Sequence, residues 1–268
     1  MLFRSSITFE LGTDLDIAQV LVQNRVALAL PRLPEEVKTT GVSTRKKSAS
    51  ILLCVNLVSD LDPETQRPYY DQLYLSNFAT LQIRDQLVRI PGVGDVAYFG
   101  QQDYSMRLWL DPEQMASRAI TTADVIRALR EQNVQVAAGR LGQPPIPEGQ
   151  QFQYTLSTQG RLRLPGEFEQ IVVKTGTAGQ LTLLKDIARI ELGSKNFDTS
   201  CTLDGQPSVG LGIYQLPGAN ALQTADRIRE RMRSLSARFP RGMKHQIVYD
   251  TTPFIEESVR EVFKTLRD

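Results

Sequence analysis

Two distant stretches of this chain read alike, and that likeness restricts its fold more than any other feature. Ile51–Val58 is a clean strand pattern. A helical pattern follows from Tyr70 to Arg89, Ile90-Pro91-Gly92 ends it, and Asp95–Phe99 returns to strand character. Much later, Asn196–Leu203 and Pro207–Tyr214 flank Asp204-Gly205, a hairpin signal because a tight primed turn needs residues that tolerate positive φ. A helix from Ala219 to Ala237 comes next, Pro240-Arg241-Gly242 ends it, and Gln246–Tyr249 is a strand. Two β-α-β units whose helices both end in Pro and Gly predict an α+β chain. Its expected form is a ferredoxin-like β-α-β sandwich, split by an insertion over about 101–193.

The insertion has elements of its own, so an inserted α+β subdomain is expected. Met106–Leu110 reads as a strand, and Asp111-Pro112 opens a short helix. Thr121-Thr122-Ala123-Asp124 caps a second helix that carries Val125, Ile126 and Leu129 on one face. Val134–Ala138 and Phe152–Ser157 have strand character. Between them Gly139–Gln151, with Pro144, Pro145 and Pro147, has too few apolar residues to pack on its own chain. A polar loop of this length is either disordered or a binding arm.

The flanks are less regular. Ser6–Phe9 alternates like a strand. Thr13 is placed to cap a helix with Asp14 and Asp16 in its first turn, running to Leu30 where Pro31 stops it. Apolar residues circle most of that helix, which suits either the centre of a monomer core or a helix also covered by a partner subunit. Glu36–Ser48 reads as a basic strand with Arg45, Lys46 and Lys47. At the other end Thr251-Thr252-Pro253 opens a helix with Ile255, Val259, Val262, Phe263 and Leu266 at helical spacing, and the chain stops inside it. The expectation is a piece of a longer protein.

Chemistry is scarce. Basic residues number 31 and acidic 30, for a net charge of +1, which gives no basic face for nucleic acid. Apolar residues make up 41%, enough for a core, yet no apolar run approaches the ~20 residues of a membrane span. No nucleotide-binding, nucleophile-elbow or zinc-protease motif occurs. His245 is the only histidine and the only candidate base, so no His-pair metal site can form and no cofactor is implied. Cys54 and Cys201 fall on strands of the split sheet. They are read as two small buried thiols, with a disulfide the alternative. The chain is not expected to be an enzyme.

Several runs resemble the resistance–nodulation–division (RND) efflux transporters of the hydrophobe/amphiphile class. They are Phe9-Glu10-Leu11-Gly12-Thr13-Asp14-Leu15-Asp16-Ile17-Ala18-Gln19-Val20, Ile90-Pro91-Gly92-Val93-Gly94-Asp95-Val96 with Phe99-Gly100, and Met106-Arg107-Leu108-Trp109-Leu110. Glu131-Gln132-Asn133-Val134-Gln135-Val136-Ala137-Ala138-Gly139 is the most specific, and Pro217-Gly218-Ala219-Asn220-Ala221 and Tyr249-Asp250-Thr251-Thr252-Pro253-Phe254 complete the set. The resemblance implies a layout within the first large periplasmic loop. Residues 1–47 would be the C-terminal half of the first porter subdomain, and 48–100 with 194–250 the two halves of the second. Residues 101–193 would be the docking subdomain with a protruding arm at 139–151, and 251–268 the start of the helix leading to the second membrane span.

The family's function follows as implication: the periplasmic, substrate-binding and trimer-forming part of a proton-driven pump of the bacterial inner membrane. It would export amphiphilic drugs, dyes or detergents with a periplasmic adaptor (membrane fusion) protein and an outer-membrane channel. The helix after Thr13 resembles the central pore helix, so Asp16, Val20, Asn24 and Ala27 would face the threefold axis of a homotrimer, and Pro144, Pro145 and Pro147 would reach a neighbouring protomer. Positions matching the family's substrate pocket are Ser43, Arg45, Ile51, Cys54, Ala97, Tyr98, Phe99, Gln101, Lys195, Asn196, Asp198, Thr199, Cys201, Val209 and Tyr249. A relative carries Phe in place of Ile51 and acidic residues in place of Arg45 and Lys195, which in a dry pocket implies a preference for neutral or anionic amphiphiles. The alternative is a free-standing ferredoxin-like binding or oligomerisation module.

Overall fold

The structure is a computed structural model that describes residues 5–10, 12–135, 140–141, 154–155, 160–176 and 179–267. The chain forms two compact units, Met1–Gln102 together with Asp198–Asp268, and Asp103–Phe197.

The first helix, α1 (Leu15–Ala29), is capped by Asp14 rather than Thr13, because the Asp14 carboxylate accepts the N–H groups of both Asp16 and Ile17. A 3₁₀ turn at Leu30–Arg32, with Pro31 in it, closes α1. A short helix α2 (Glu35–Thr40) then stands where a basic strand was expected. Pro34 presets its entry, and Gly41 ends it at φ 84°. Residues 41–48 pair with no strand among the described residues, and the Ser48 N–H donates to the Gln215 carbonyl. Residues 6–9 pair with no strand among the described residues, contrary to their alternation; Ile7 and Phe9 stay exposed.

The first β-α-β unit is β1 (Ile51–Ser59), α3 (Gln72–Phe78), a π-helical turn Ala79–Arg84, α4 (Asp85–Val88) and β2 (Val93–Phe99). Asp71 caps α3 through the Tyr74 N–H. Pro91-Gly92 ends the helix because Gly92 needs φ 98°, and a Cβ there would stand 2.1 Å from Thr224 Oγ1.

The inserted unit holds β3 (Tyr104–Leu110), α5 (Pro112–Ser117), α6 (Thr122–Gln132), β4 (Arg140–Leu141), β5 (Tyr154–Thr155), α7 (Pro165–Glu169), β6 (Val172–Thr175), β7 (Leu181–Leu183) and β8 (Ala188–Ser194). Asp111 caps α5, and Thr121 with Asp124 forms a full capping box on α6. The Asp124 carboxyl is held below its ordinary range, first by the Thr121 hydroxyl and then by the Thr121 backbone N–H. Strands pair antiparallel as β3 with β8, β4 with β5, and β6 with β7. Met115, Val125, Ala128, Phe168, Ile171, Leu184 and Ile187 form its core. Val134 and Gln135 are not strand; the rest of that expected strand, the ends of Phe152–Ser157, and most of the arm with Pro144, Pro145 and Pro147 lie outside the described residues.

The chain then completes its first unit with β9 (Thr202–Leu203), β10 (Gln206–Gln215), α8 (Ala221–Ser236), β11 (Met243–Asp250) and α9 (Thr252–Arg267). Asp204 at φ 51° and Gly205 at φ 79° make the expected tight turn. Only Thr202–Leu203 of the expected strand Asn196–Leu203 pairs with β10, because Thr199 bonds to the loop at Gln101 and Gln102 instead.

The main sheet runs β11-β1-β10-β2, and every neighbouring pair is antiparallel. β1 and β2 are therefore parallel with β10 between them, the arrangement of a split β-α-β sandwich. Leu53, Val55, Leu57, Val209, Leu211 and Ile213 point to one side and pack under Leu75, Ile83, Leu87, Ile228 and Met232 from the helices. Each such fully buried side chain contributes roughly 1.5–3 kcal/mol. No helix among the described residues is long and apolar enough to cross a membrane.

Candidate functional site

Side chains alternate across a strand, so residues that avoid the helix layer gather on the opposite face of the sheet. The register builds that face in rows. Ala97, Gly212, Cys54 and Tyr249 lie side by side across β2, β10, β1 and β11, and the next row starts with Phe99, Gly210 and Asn56. The glycines shape it. A Cβ at Gly212 would lie 2.7 Å from Phe99 Cε2 and 3.7 Å from Ile51 Cδ1, so the Phe99 ring rests directly on the bare backbone of β10. Phe99 stays 42% exposed and Tyr249 51% exposed. The result is a face on which the Phe99 and Tyr249 rings reach solvent while Cys54, Ala97 and Asn56 stay buried.

One end of this surface is polar. Asn56 is buried and donates to Ser208 Oγ at 2.9 Å, while the Cys54 thiol donates to Asn56 Oδ1 at 3.4 Å. Cys201 Sγ lies 3.8 Å from Asn56 Nδ2, so this amide stands between the two thiols, and both are free. Burial, reinforced by the neighbouring Cys201, pushes the Cys54 pKa up to about 11. Cys201 is not on a strand, as the sequence suggested, but in the stretch before β9, with its carbonyl accepting from the Ser208 N–H. At the other end Arg45 pairs with Asp95 at 3.2 Å, and Lys47 Nζ sits 3.6 Å from the centre of the Tyr214 ring. Arg45 is exposed and paired, so the premise of an unpaired charge in a dry pocket fails for it.

The structure sorts the remaining expected residues. Tyr98 and Val209 belong to the other side of the sheet: Tyr98 lies opposite Leu211, Val209 opposite Leu57, and both pack in the helix-covered core. Ser43 is exposed on the 41–48 segment, Asp198 and Thr199 are exposed before β9, and the Gln101 carbonyl accepts from the Thr199 hydroxyl at 3.4 Å. Lys195 and Asn196 are exposed residues of the inserted unit. There the Lys195 N–H donates to the Asp103 carbonyl and Ser194 Oγ donates to the Asn196 carbonyl. Asn56, Ser208, Tyr214, Asp95 and the two glycines were missed; the alternation of β1 and the Gly-x-Gly pattern within β10 carry that signal.

On α1, Asp16, Val20, Asn24 and Ala27 form one exposed stripe, with Asp16 ion-paired to Lys46. A second stripe through Ala18, Val22 and Val26 faces Ile7 and Phe9 across a groove of about 340 Å³. His245 is held below its ordinary pKa by burial and lies edge-on to Phe239, with ring centres 6.0 Å apart. Among the described residues no group of three or more His, Cys, Asp or Glu could hold a metal ion.

Residues 3–267 match the AcrB/AcrD/AcrF family, and the chain belongs to that family of RND multidrug transporters. It is 43% identical over 261 residues to the multidrug export protein AcrF of Escherichia coli, covering 97% of this chain and 25% of the relative. It is 42% identical, over 97% of this chain and 24% of the relative, to the multidrug resistance protein MdtF of Escherichia coli. With the solvent-resistant pump membrane transporter SrpB of Pseudomonas putida it shares 40% identity, over 97% of this chain and 24% of that protein. The chain thus spans about a quarter of the length of the curated relatives it matches.

Proposed function

We propose that this chain is the periplasmic, substrate-carrying part of an RND efflux pump that exports amphiphilic drugs, dyes or detergents. The observation that carries the proposal is the face of the split sheet away from the helices, where Phe99 lies on Gly212 near Ile51 and exposed Tyr249 ends the same row on β11. A promiscuous export surface needs apolar and aromatic area with few fixed polar anchors, so that different molecules can slide and re-seat. The names of the relatives, which export drugs, solvents and toluene, support the same reading.

The remaining parts of the proposal are a homotrimer, an adaptor protein, an outer-membrane channel and proton drive through helices elsewhere in the pump. The exposed stripe of Asp16, Val20, Asn24 and Ala27 supports the trimer, since a stripe facing a threefold axis stays open in one protomer. Residues 1–47 and 48–100 with 194–250 would serve as porter subdomains, 101–193 as the docking subdomain with its arm at 139–151, and 251–268 as the helix towards the membrane. The test is efflux from cells that lack their own pumps and express the whole pump. Replacing Phe99 and Tyr249 together by Ala should slow export of a fluorescent amphiphilic dye roughly 5-fold or more, for about 1 kcal/mol of lost apolar contact at equal expression. Unchanged export would refute the assignment of this face.

A further inference from the structure

The export face continues one row beyond Gly212. Asp95, Tyr214 and Ile51 lie side by side across β2, β10 and β1. Tyr214 is two residues from Gly212 on the same strand, so it stands on the same side of the sheet, next to Ile51 and one row from Phe99. Its ring is already in use. The Lys47 ammonium sits over it, 3.6 Å from the ring centre, where the π electrons are most negative.

The backbone on both sides of Lys47 is held. The Lys46 carbonyl passes so close to Gly94 that a Cβ there would stand 2.8 Å from it, and the Ser48 N–H donates to the Gln215 carbonyl at 2.8 Å. Lys47 and Tyr214 are both partly buried, so the contact is shielded from bulk water on one side. Lys47 forms no ion pair among the described residues. Asp95, the carboxylate of this row, goes to Arg45 at 3.2 Å, and Lys46 pairs with Asp16. Asp95 therefore neutralises Arg45, and the cation left over is the one on the ring.

Such an arrangement excludes a second cation. The ring face is taken, and two positive groups brought together on a partly desolvated surface repel each other. A neutral molecule meets no such penalty, because the aliphatic stem of Lys47 adds apolar surface beside the ring. We propose that Lys47 sets the charge preference of the export face: by occupying the Tyr214 ring it turns cationic amphiphiles away from this end and leaves it to neutral ones. The proposal rests on the reading of this face as the export surface, and Arg45 plays no part in it.

The dyes Nile red and Nile blue A share a benzophenoxazine body; the first is neutral and the second cationic at neutral pH. Export of each is followed in cells that lack their own pumps and express the whole pump, and the readout is the ratio of the cationic rate to the neutral rate. Lys47→Gln should raise that ratio roughly fivefold, the size of one cation–π contact at a partly exposed site. Lys47→Arg keeps both the charge and the stacking and should leave the ratio at its wild-type value. Tyr214→Leu added to Lys47→Gln should cancel most of the gain, because the freed ring is what the cation gains. An unchanged ratio in Lys47→Gln, an equal rise in Lys47→Arg, or a gain that survives loss of the ring overturns the role of Lys47. Phe99→Ala with Tyr249→Ala, measured alongside, separates the two readings. If that pair leaves both rates unchanged, the export surface itself falls and this inference with it. If the pair slows export and Lys47→Gln leaves the ratio as it was, the surface stands and only the assignment of Lys47 falls.

Discussion

Gly212→Ala is the sharpest perturbation of the export face. In a strand, exchanging Gly for Ala ordinarily stabilises by about 0.5–1 kcal/mol, because the backbone loses less freedom on folding. Here the new methyl would stand 2.7 Å from Phe99 Cε2 and 3.2 Å from Cζ, too close to be tolerated without movement of the ring. Overpacking of this kind costs about 1–3 kcal/mol. Because Phe99 is 42% exposed, its ring can swing outwards, which puts the cost at the lower end of that range. The net expectation is destabilisation by up to about 1.5 kcal/mol. In a Phe99→Ala background the collision is gone, so the same change should stabilise by about 0.5–1 kcal/mol. The four proteins form a double-mutant cycle with a coupling of about 1–2 kcal/mol. The chain has two compact units, so global unfolding is a poor assay. Native-state amide exchange of peptides from β1 and β10 reads the split sheet alone. If Gly212→Ala stabilises in both backgrounds, or costs the same in both, the Phe99 ring does not rest on that glycine.

Three further outcomes follow from the same geometry. With a thiol-specific alkylating agent at pH 8, Cys201 should react at least about tenfold faster than Cys54, whose pKa is pushed up to about 11 by burial; peptide mass spectrometry reads both sites, and equal rates would contradict the burial of Cys54. Arg229→Ala removes the clamp that holds Asp226 and Asp250, each at 2.6 Å, together with Thr252 at the start of α9. The pairs are partly solvated, so the loss should be about 1–2 kcal/mol, seen as faster amide exchange in the first turns of α9. Burial works upward on the Asp250 carboxyl, but hydrogen bonds from Arg229 and from the Thr252 N–H and hydroxyl outweigh it and hold the group below its ordinary range. Its contribution to stability is therefore complete above the unfolded value of about 3.9 and lost as pH falls through the lower folded value, so Asp250→Asn should flatten the acid limb of a stability–pH profile.

How far the sequence could be read depended on whether a signal was local. Ile51–Ser59, Val93–Phe99 and the Asp204-Gly205 turn were legible because period-two patterning and turn chemistry act over a few residues. The helix caps were legible for the same reason, although Asp14 displaced Thr13, its Oδ1 accepting from two N–H groups. Glu36–Ser48 misled, since Pro34 and Gly41 bracket a short helix, Glu35–Thr40, at its start. Of the expected pocket residues, Ile51, Cys54, Ala97, Phe99 and Tyr249 share one face of the sheet, while Tyr98 and Val209 lie on the other. A list of matched positions does not carry the alternation that puts neighbours on β2 and β10 on opposite sides. The role of Gly210 and Gly212 was not visible at all, because what a glycine makes room for is a tertiary fact.

The account stands or falls on whether exported molecules touch the open face of the split sheet. A photo-reactive amino acid placed in turn at Phe99, Tyr249 and Leu81 of the whole pump, in cells given an amphiphilic dye, tests this directly. Leu81 is the control: it is 67% exposed, but it sits in the helical layer of the same unit. Adducts at Phe99 and Tyr249 that a second exported compound suppresses, with none at Leu81, are the predicted result. Labelling at Leu81 equal to that at Phe99, or no suppressible labelling at Phe99 and Tyr249, would contradict it.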